Sequence, residues 1–216
     1  MKTCIIFCAG DFDGLRTPIT PEDLVIAADG GLRHLKALDI APDIVLGDFD
    51  SLGYTPAGGE IHPVEKDDTD AMLAVRRGLA LGCREFVLYG GMDGPRLDHT
   101  IANLQTLCFL AQQGARGHLA GVDFTATVIR DETVVFSPDC TGIFSVFCLG
   151  DDAAVTIRGG KYEAERSPLT AAFPLGVSNH FVGKSVRITA HKGTIITIYD
   201  KSNNFPLRTK EGSHES

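Results

Sequence analysis

The chain has no tryptophan, and aromatic residues make up only 7% of its 216 positions. Any stacking on a flat ligand must therefore use Phe, Tyr or His. No apolar span approaches the 20 or so residues of a membrane-crossing helix, so no membrane association is expected. Basic charge is scarce: 20 Lys and Arg stand against 28 Asp and Glu, a net charge of -8. A nucleic-acid binder would show a basic face instead, so no nucleic-acid partner is expected. Six cysteines (Cys4, Cys8, Cys83, Cys108, Cys140 and Cys148) form no CxxC pair and no zinc spacing. Most sit among apolar neighbours, as reduced thiols do, which points to the cytoplasm. The N-terminal MKTCIIFCAGDFDG reads as a first strand rather than a signal peptide. There is no GxxxxGK[ST] loop: Gly183-Lys184-Ser185 mimics its end, but Ser178 stands where the first glycine belongs. No Gly-x-Ser-x-Gly elbow occurs either, which leaves acyl transfer unsupported.

With 44% hydrophobic and 22% charged residues, the chain can bury roughly 70% of its unfolded surface without disulfides or a structural metal. Its first half alternates apolar runs with helical periodicity. Cys4–Ala9, Leu24–Ala28, Asp43–Leu46 and Phe86–Tyr89 read as strands, and a short amphipathic stretch covers Leu32–Leu38. One helix is predicted from an N-cap at Thr69 or Asp70 to a stop at Gly82, and another over Asp98–Gln113. Such alternation implies a mostly parallel sheet flanked by helices. Beyond about residue 115 the texture changes to short runs rich in Val, Ile, Thr and Phe: Ala126–Ile129, Thr133–Phe136, Ile143–Leu149, Ala153–Ile157, Ser185–Ala190 and Thr194–Tyr199. These predict an antiparallel β-sandwich. The expected organisation is an α/β domain over 1–120, a β-sandwich over 121–200 and a flexible polar tail over 201–216.

The acidic excess lies wholly in residues 1–100, and most of those acids are Asp. They fall just after predicted strands: Asp29 after the second, Asp48 and Asp50 after the third, Asp93 and Asp98 after the fourth. Asp67, Asp68 and Asp70 lead into a helix. The carboxyl ends of parallel strands share one edge, where open α/β folds bind ligands. Converging carboxylates call for a hard divalent cation, and an all-oxygen set without His or Cys favours Mg²⁺. Each motif also has a plainer reading. GDFDS can be a turn, KDDTD a solvated loop with a helix cap, and Arg96 with Asp98 an ion pair. GGMDGPRLDH places Arg96 at a helix N-terminus, where bidentate donors and the dipole suit a phosphate. His99 reads as an orienting or packing residue.

The ordered series AADGG, PDIVLGDFDS, KDDTDAMLA, GGMDGPRLDHTIAN and GVSN resembles the thiamine pyrophosphokinase family over residues 25–180. The resemblance implies transfer of the terminal diphosphate of ATP to the hydroxyl of thiamine, giving thiamine diphosphate and AMP. It also implies an α/β domain followed by a β-sandwich, and a homodimer with the active site between subunits. By position, Asp48, Asp50 and Asp70 match the family's Mg²⁺-binding acids. Asp29, Ser51, Lys66 and Asp68 fall in segments around ATP and metal. Arg96 and Asp98 match the arginine–aspartate pair near the phosphates and substrate, and Asn103 belongs to the same segment. Ser178 and Asn179 match the β-domain segment that contacts thiamine, and with no Trp the resemblance leaves Phe173, His180 and Phe181 as candidates for stacking on it. One departure is Pro95, where the family usually has glycine; it removes an N–H and fixes φ. If a general base is used, Asp98 or Asp70 is the candidate. The positive charge of thiamine would be attracted to the acidic first half. Two other readings use the same residues: a Mg²⁺-dependent phosphohydrolase acting on a nucleotide, or a non-catalytic thiamine- or nucleotide-binding protein.

Overall fold

A computed structural model describes residues 2–49, 59–61, 68–150 and 152–210. The chain divides into two compact units, Met1–Val122 and Asp123–Ser216.

In the first unit, β1 (Thr3–Phe7), β2 (Leu24–Ala28), β3 (Ile44–Gly47), β4 (Glu60–Ile61), β5 (Glu85–Tyr89) and β6 (Arg116–Ala120) are all parallel. Their order is β6-β5-β1-β2-β3-β4. Strands β1, β2 and β5 are near-continuous apolar runs, buried along almost their whole length, as strands covered on both faces must be. A short 3₁₀ turn (Asp29–Gly31) leads into α1 (Leu32–Ala37), and α2 (Asp70–Ala80) and α3 (Leu97–Gln112) supply the remaining cover. Helix α2 starts at Thr69, whose hydroxyl accepts from the Met72 N–H at 3.2 Å. It sits unusually close to the sheet, because a Cβ at Gly78 would lie 2.7 Å from both Cys4 Sγ and the Phe86 ring. Two strands of this unit escaped the sequence reading. β4 has two residues, and β6 (RGHLA) breaks its apolar run with Arg, Gly and His.

This strand order reverses at β1. The chain leaves β1 for β2 on one side and later fills β5 and β6 on the other. At such a reversal the loops beyond the carboxyl ends diverge and leave a crevice. The segment joining β1 to β2 has no helix and is held by side chains. The Phe12 ring packs 5.5 Å from those of Phe7 and Tyr89, and Arg16 donates to the Gly121 carbonyl at 2.6 Å.

The second unit is antiparallel throughout. One group of strands runs β12 (Gly176–His180), β9 (Ile143–Cys148), β14 (Thr194–Asp200), β7 (Phe124–Arg130). The facing sheet runs β11 (Ala164–Leu169), β10 (Ala153–Arg158), β13 (Val186–Lys192), β8 (Glu132–Phe136), β15 (Leu207–Lys210). Burial alternates residue by residue in β9, β10 and β13, so each strand gives one row of side chains to the shared core. Phe136, Phe144, Val155, Val186, Ile188, Ile195 and Tyr199 form that core. The fold is thus a mostly parallel sheet flanked by helices, followed by an antiparallel sandwich. All six cysteines are free thiols and only Cys108 is partly exposed.

The tail expected to be flexible is in part a strand, and this corrects the sequence reading. Residues Leu207–Lys210 pair with β8 because Arg208 carries its guanidinium into the unit. That side chain is only 4% exposed; it pairs with Glu132 at 2.5 Å and donates to the Val128 carbonyl at 3.0 Å and to the Thr127 hydroxyl. Arg208→Ala would take its buried cationic partner away from the Glu132 carboxylate. Urea unfolding is expected to show a loss of roughly 3–5 kcal/mol, with the apolar pair R208M/E132L recovering most of it.

Candidate active site

Strands β2 and β3 pair in register, Ala28 opposite Leu46, so Asp29 and Gly47 leave the sheet side by side. Both turn into the left-handed region at once, with φ of 46° and 146°. Only glycine fits at 47, for its φ and because a Cβ there would lie 3.0 Å from Asp29 Cβ. Phe49 also has a left-handed φ, 61°, although its ring is 3% exposed. That backbone costs a side-chain-bearing residue about 1–2 kcal/mol. Burying a phenyl ring contributes about 1.5–3 kcal/mol, enough to offset it.

The two turns, together with the first residue of α2, bring one carboxylate oxygen each from Asp29, Asp48 and Asp70 within 4.8 Å of one another. The donor set is oxygen only. Oδ1 of Asp29 is buried and has no hydrogen-bond partner among the described residues. Unit charges about 4 Å apart repel by roughly 4 kcal/mol at an effective dielectric of 20. A hard divalent cation fits both the donor chemistry and the unsatisfied oxygen. Asp50, Ser51 and Lys66 lie outside the described residues.

A cleft of about 470 Å³ opens at this edge, walled by the residues after β1 (Cys8–Gly10), Asp29, Asp68–Asp70, and the loop and helix start after β5. That loop is tied down from several sides. Buried Asn103 donates from Nδ2 to the Gly91 carbonyl at 2.7 Å, and the Thr100 hydroxyl donates to the Met92 carbonyl at 2.5 Å. The Asp93 carboxylate accepts from the Val122 N–H at 2.6 Å. Asn103 therefore acts on the loop, with its amide engaged by Gly91. Asp68 lines the cleft while paired with Arg76 at 2.9 Å, and that guanidinium stacks over Phe109. Burial, helped by the negative charge of Asp70, pushes the Cys8 thiol up to about 12, so it forms a neutral wall.

Arg96 stands at the rim, just before α3, whose dipole attracts anions. Its Nε and an Nη reach both oxygens of Asp98 at 2.6–3.2 Å, and both side chains are 64% exposed. The exposed pair contributes little stability. It fixes the orientation of the guanidinium. The hydrogen bonds from Arg96 hold the Asp98 carboxyl down at about 2.

Ser178 and Asn179 lie on β12 in the second unit. Asn179 is buried, and its amide binds the backbone of Tyr162 in both directions, at 3.0 and 2.7 Å. Ser178 is exposed, with φ 59°. Of the stacking candidates, Phe181 is a core residue, 4.9 Å from Phe144 and 5.2 Å from Phe136. Phe173 is 65% exposed. The loop-holding roles of Asp93 and Thr100 were missed in the sequence. Asp93 was visible beside two glycines, whereas nothing in the sequence marks Thr100.

A cleft bordered by carboxylates at the carboxyl edge of a parallel sheet, with an arginine at a helix N-terminus and a sandwich unit following, is the arrangement of a kinase-type transferase of two units. The chain belongs to the thiamin pyrophosphokinase family. The family model described as "Thiamin pyrophosphokinase, catalytic domain" matches residues 15–117, and "Thiamin pyrophosphokinase, vitamin B1 binding domain" matches residues 132–195. Thiamine pyrophosphokinase activity, with ATP and thiamine as substrates, follows from that membership. No curated protein matches the chain in sequence comparison. Among solved structures, the chain is similar to thiamine pyrophosphokinase from Bacillus subtilis, with TM-score 0.79 and 22% identity over 92% of this chain and 99% of that one. The Geobacillus thermodenitrificans protein gives 0.77 and 23% over 93% and 97%. Thiamin pyrophosphokinase from Candida albicans gives 0.70 and 13% over 92% and 88%. At these identities the likeness is one of fold.

The Arg96–Asp98 pair is testable by carboxyl NMR. A depressed carboxyl stays ionised as pH falls and loses its partner only through its own midpoint. Asp98 is expected to titrate near 2, and in Arg96→Ala to return toward the ordinary value of about 3.9.

Proposed function

We propose that the first unit binds ATP with Mg²⁺ and the second binds thiamine, and that the thiamine hydroxyl attacks the β-phosphorus of ATP. The new bond joins that oxygen to the β-phosphorus, the hydroxyl proton passes to water, the bond from β-phosphorus to the α-bridging oxygen breaks, and AMP leaves with the electron pair. The observation that carries this reading is the meeting of Asp29, Asp48 and Asp70 within 4.8 Å at the edge of the cleft. Those three would hold Mg²⁺, with Asp50 joining them in the fuller metal set. When bound, Mg²⁺ neutralises phosphate oxygens and draws charge from the bond to AMP. Arg96, oriented by Asp98, supplies bidentate donors to the migrating diphosphate, and the N-terminus of α3 adds its dipole. Asn103 and Thr100 keep the loop after β5 in one shape, so its backbone is already placed when phosphate arrives. Orientation and preorganised charge supply most of the acceleration, since such transfers need little covalent help.

A homodimer, with the active site between subunits, is part of the proposal. The exposure of Phe173, Leu175 and Val177, at 65%, 56% and 48%, supports it, because three large apolar side chains left in water within five residues of chain suit burial against a partner. Six free thiols support a cytoplasmic setting. Among the described residues no helix is long and apolar enough to cross a membrane.

The test is purified protein with MgATP, with and without thiamine, quantifying AMP and thiamine diphosphate. AMP release that depends on thiamine is the expected result. Nucleotide hydrolysis without thiamine would favour the phosphohydrolase, and binding without AMP the non-catalytic reading. Asp48→Asn is expected to lower turnover by about two orders of magnitude or more, about 2.7 kcal/mol of barrier. Its melting temperature should not fall below that of the wild type, since the change removes one of three repelling charges. Light scattering of the eluting peak checks the dimer.

A further inference from the structure

Among the described residues, six other than glycine have a left-handed backbone: Asp29, Asp39, Phe49, Asp131, Arg166 and Ser178. Asp39, Asp131, Arg166 and Ser178 are exposed. Only Asp29 and Phe49 are buried, and both adjoin the carboxylate cluster or belong to it. Strain retained at such a place needs surroundings that over-determine it. Aspartate tolerates this conformation because its short polar side chain bonds locally, whereas phenylalanine has no such means. Gly47 on the other flank of Asp48 adopts its φ of 146° through composition alone. Asp48 is therefore suspended between two left-handed residues, one free to turn and one that must be held.

We propose that Phe49 is a positioning residue for the carboxylate cluster: burial of its ring holds the left-handed backbone there, and that backbone aims Asp48 at Asp29 and Asp70. This rests on the proposed function, in which the cluster holds the metal. Phe49 touches no substrate and acts through Asp48. The ring and the turn are thus coupled, so replacing the ring should alter the cluster while the rest of the fold keeps its shape.

The experiment measures Mn²⁺ binding to the ATP-free protein by paramagnetic resonance, beside a thermal melt and the Mg²⁺ dependence of AMP release. Four proteins are compared: wild type, Phe49→Gly, Phe49→Asn and Phe49→Leu. Glycine and asparagine accept the backbone but remove the apolar anchor, while leucine keeps an anchor. Both anchorless variants are expected to bind Mn²⁺ at least about tenfold more weakly, the scale of losing a supporting residue behind a metal ligand. Phe49→Leu is expected to restore most of the affinity, and the half-saturating Mg²⁺ should follow the same order. A lower melting temperature alone, with wild-type Mn²⁺ affinity in either folded anchorless variant, would overturn the inference and leave the proposed function standing. Should both anchorless variants fail to fold, Phe49→Leu decides: Mn²⁺ affinity well below wild type in that folded, anchored protein overturns the inference, and near-wild-type affinity supports it. A wild-type protein that binds no Mn²⁺ would overturn both.

Discussion

Carboxylates that gather repel, and the first unit is built to hold three of them against that force. Asp29, Asp48 and Asp70 come from three different segments, yet their oxygens stay within 4.8 Å of one another. What resists the repulsion is a sheet with no freedom to shift. β1, β2 and β5 are buried on both faces, and any slip in register would carry apolar side chains out of contact with the helices above and below. The left-handed turns at 29 and 47 then begin at fixed positions, one residue past a paired Ala28 and Leu46. Helix α2 is pressed on the same sheet by Gly78, which fixes where its first residue, Asp70, comes to rest.

The rest of the cleft extends this arrangement. Asn103, Thr100 and Asp93 all bind backbone groups of the loop after β5 or its surroundings, so the loop is braced by α3 on one side and by the end of β6 on the other. Arg96 at the mouth is different in kind. Among the described residues its guanidinium is paired with Asp98, and because both side chains are exposed, solvent screens the pair.

Much of this was legible in the chain. Continuous apolar runs announced β1, β2 and β5, short runs rich in Val, Ile, Thr and Phe announced the sandwich, and Asp residues just past strand ends marked the edge where the cleft opens. Failures had physical causes. β4 is too short to show a period, β11 (AERSPL) is polar, and β12 (GVSNH) has only one aliphatic side chain. Arg208 reads as one more tail charge until its guanidinium is seen among Glu132, Val128 and Thr127. Asn103 and Asn179 carry family motifs, but only the fold shows that each amide also donates to a backbone carbonyl, of Gly91 and of Tyr162. Phe49 was hidden in plain view inside GDFDS, since a one-letter code carries no dihedral angle.

The distribution of free thiols offers a use in the laboratory. Cys4, Cys8 and Cys83 are sealed in the first unit, and Cys140 and Cys148 in the second. A thiol closed off from solvent reacts with a labelling reagent only when its surroundings open. Mass-resolved labelling would therefore time the opening of each unit separately, in unaltered protein, with no probe introduced.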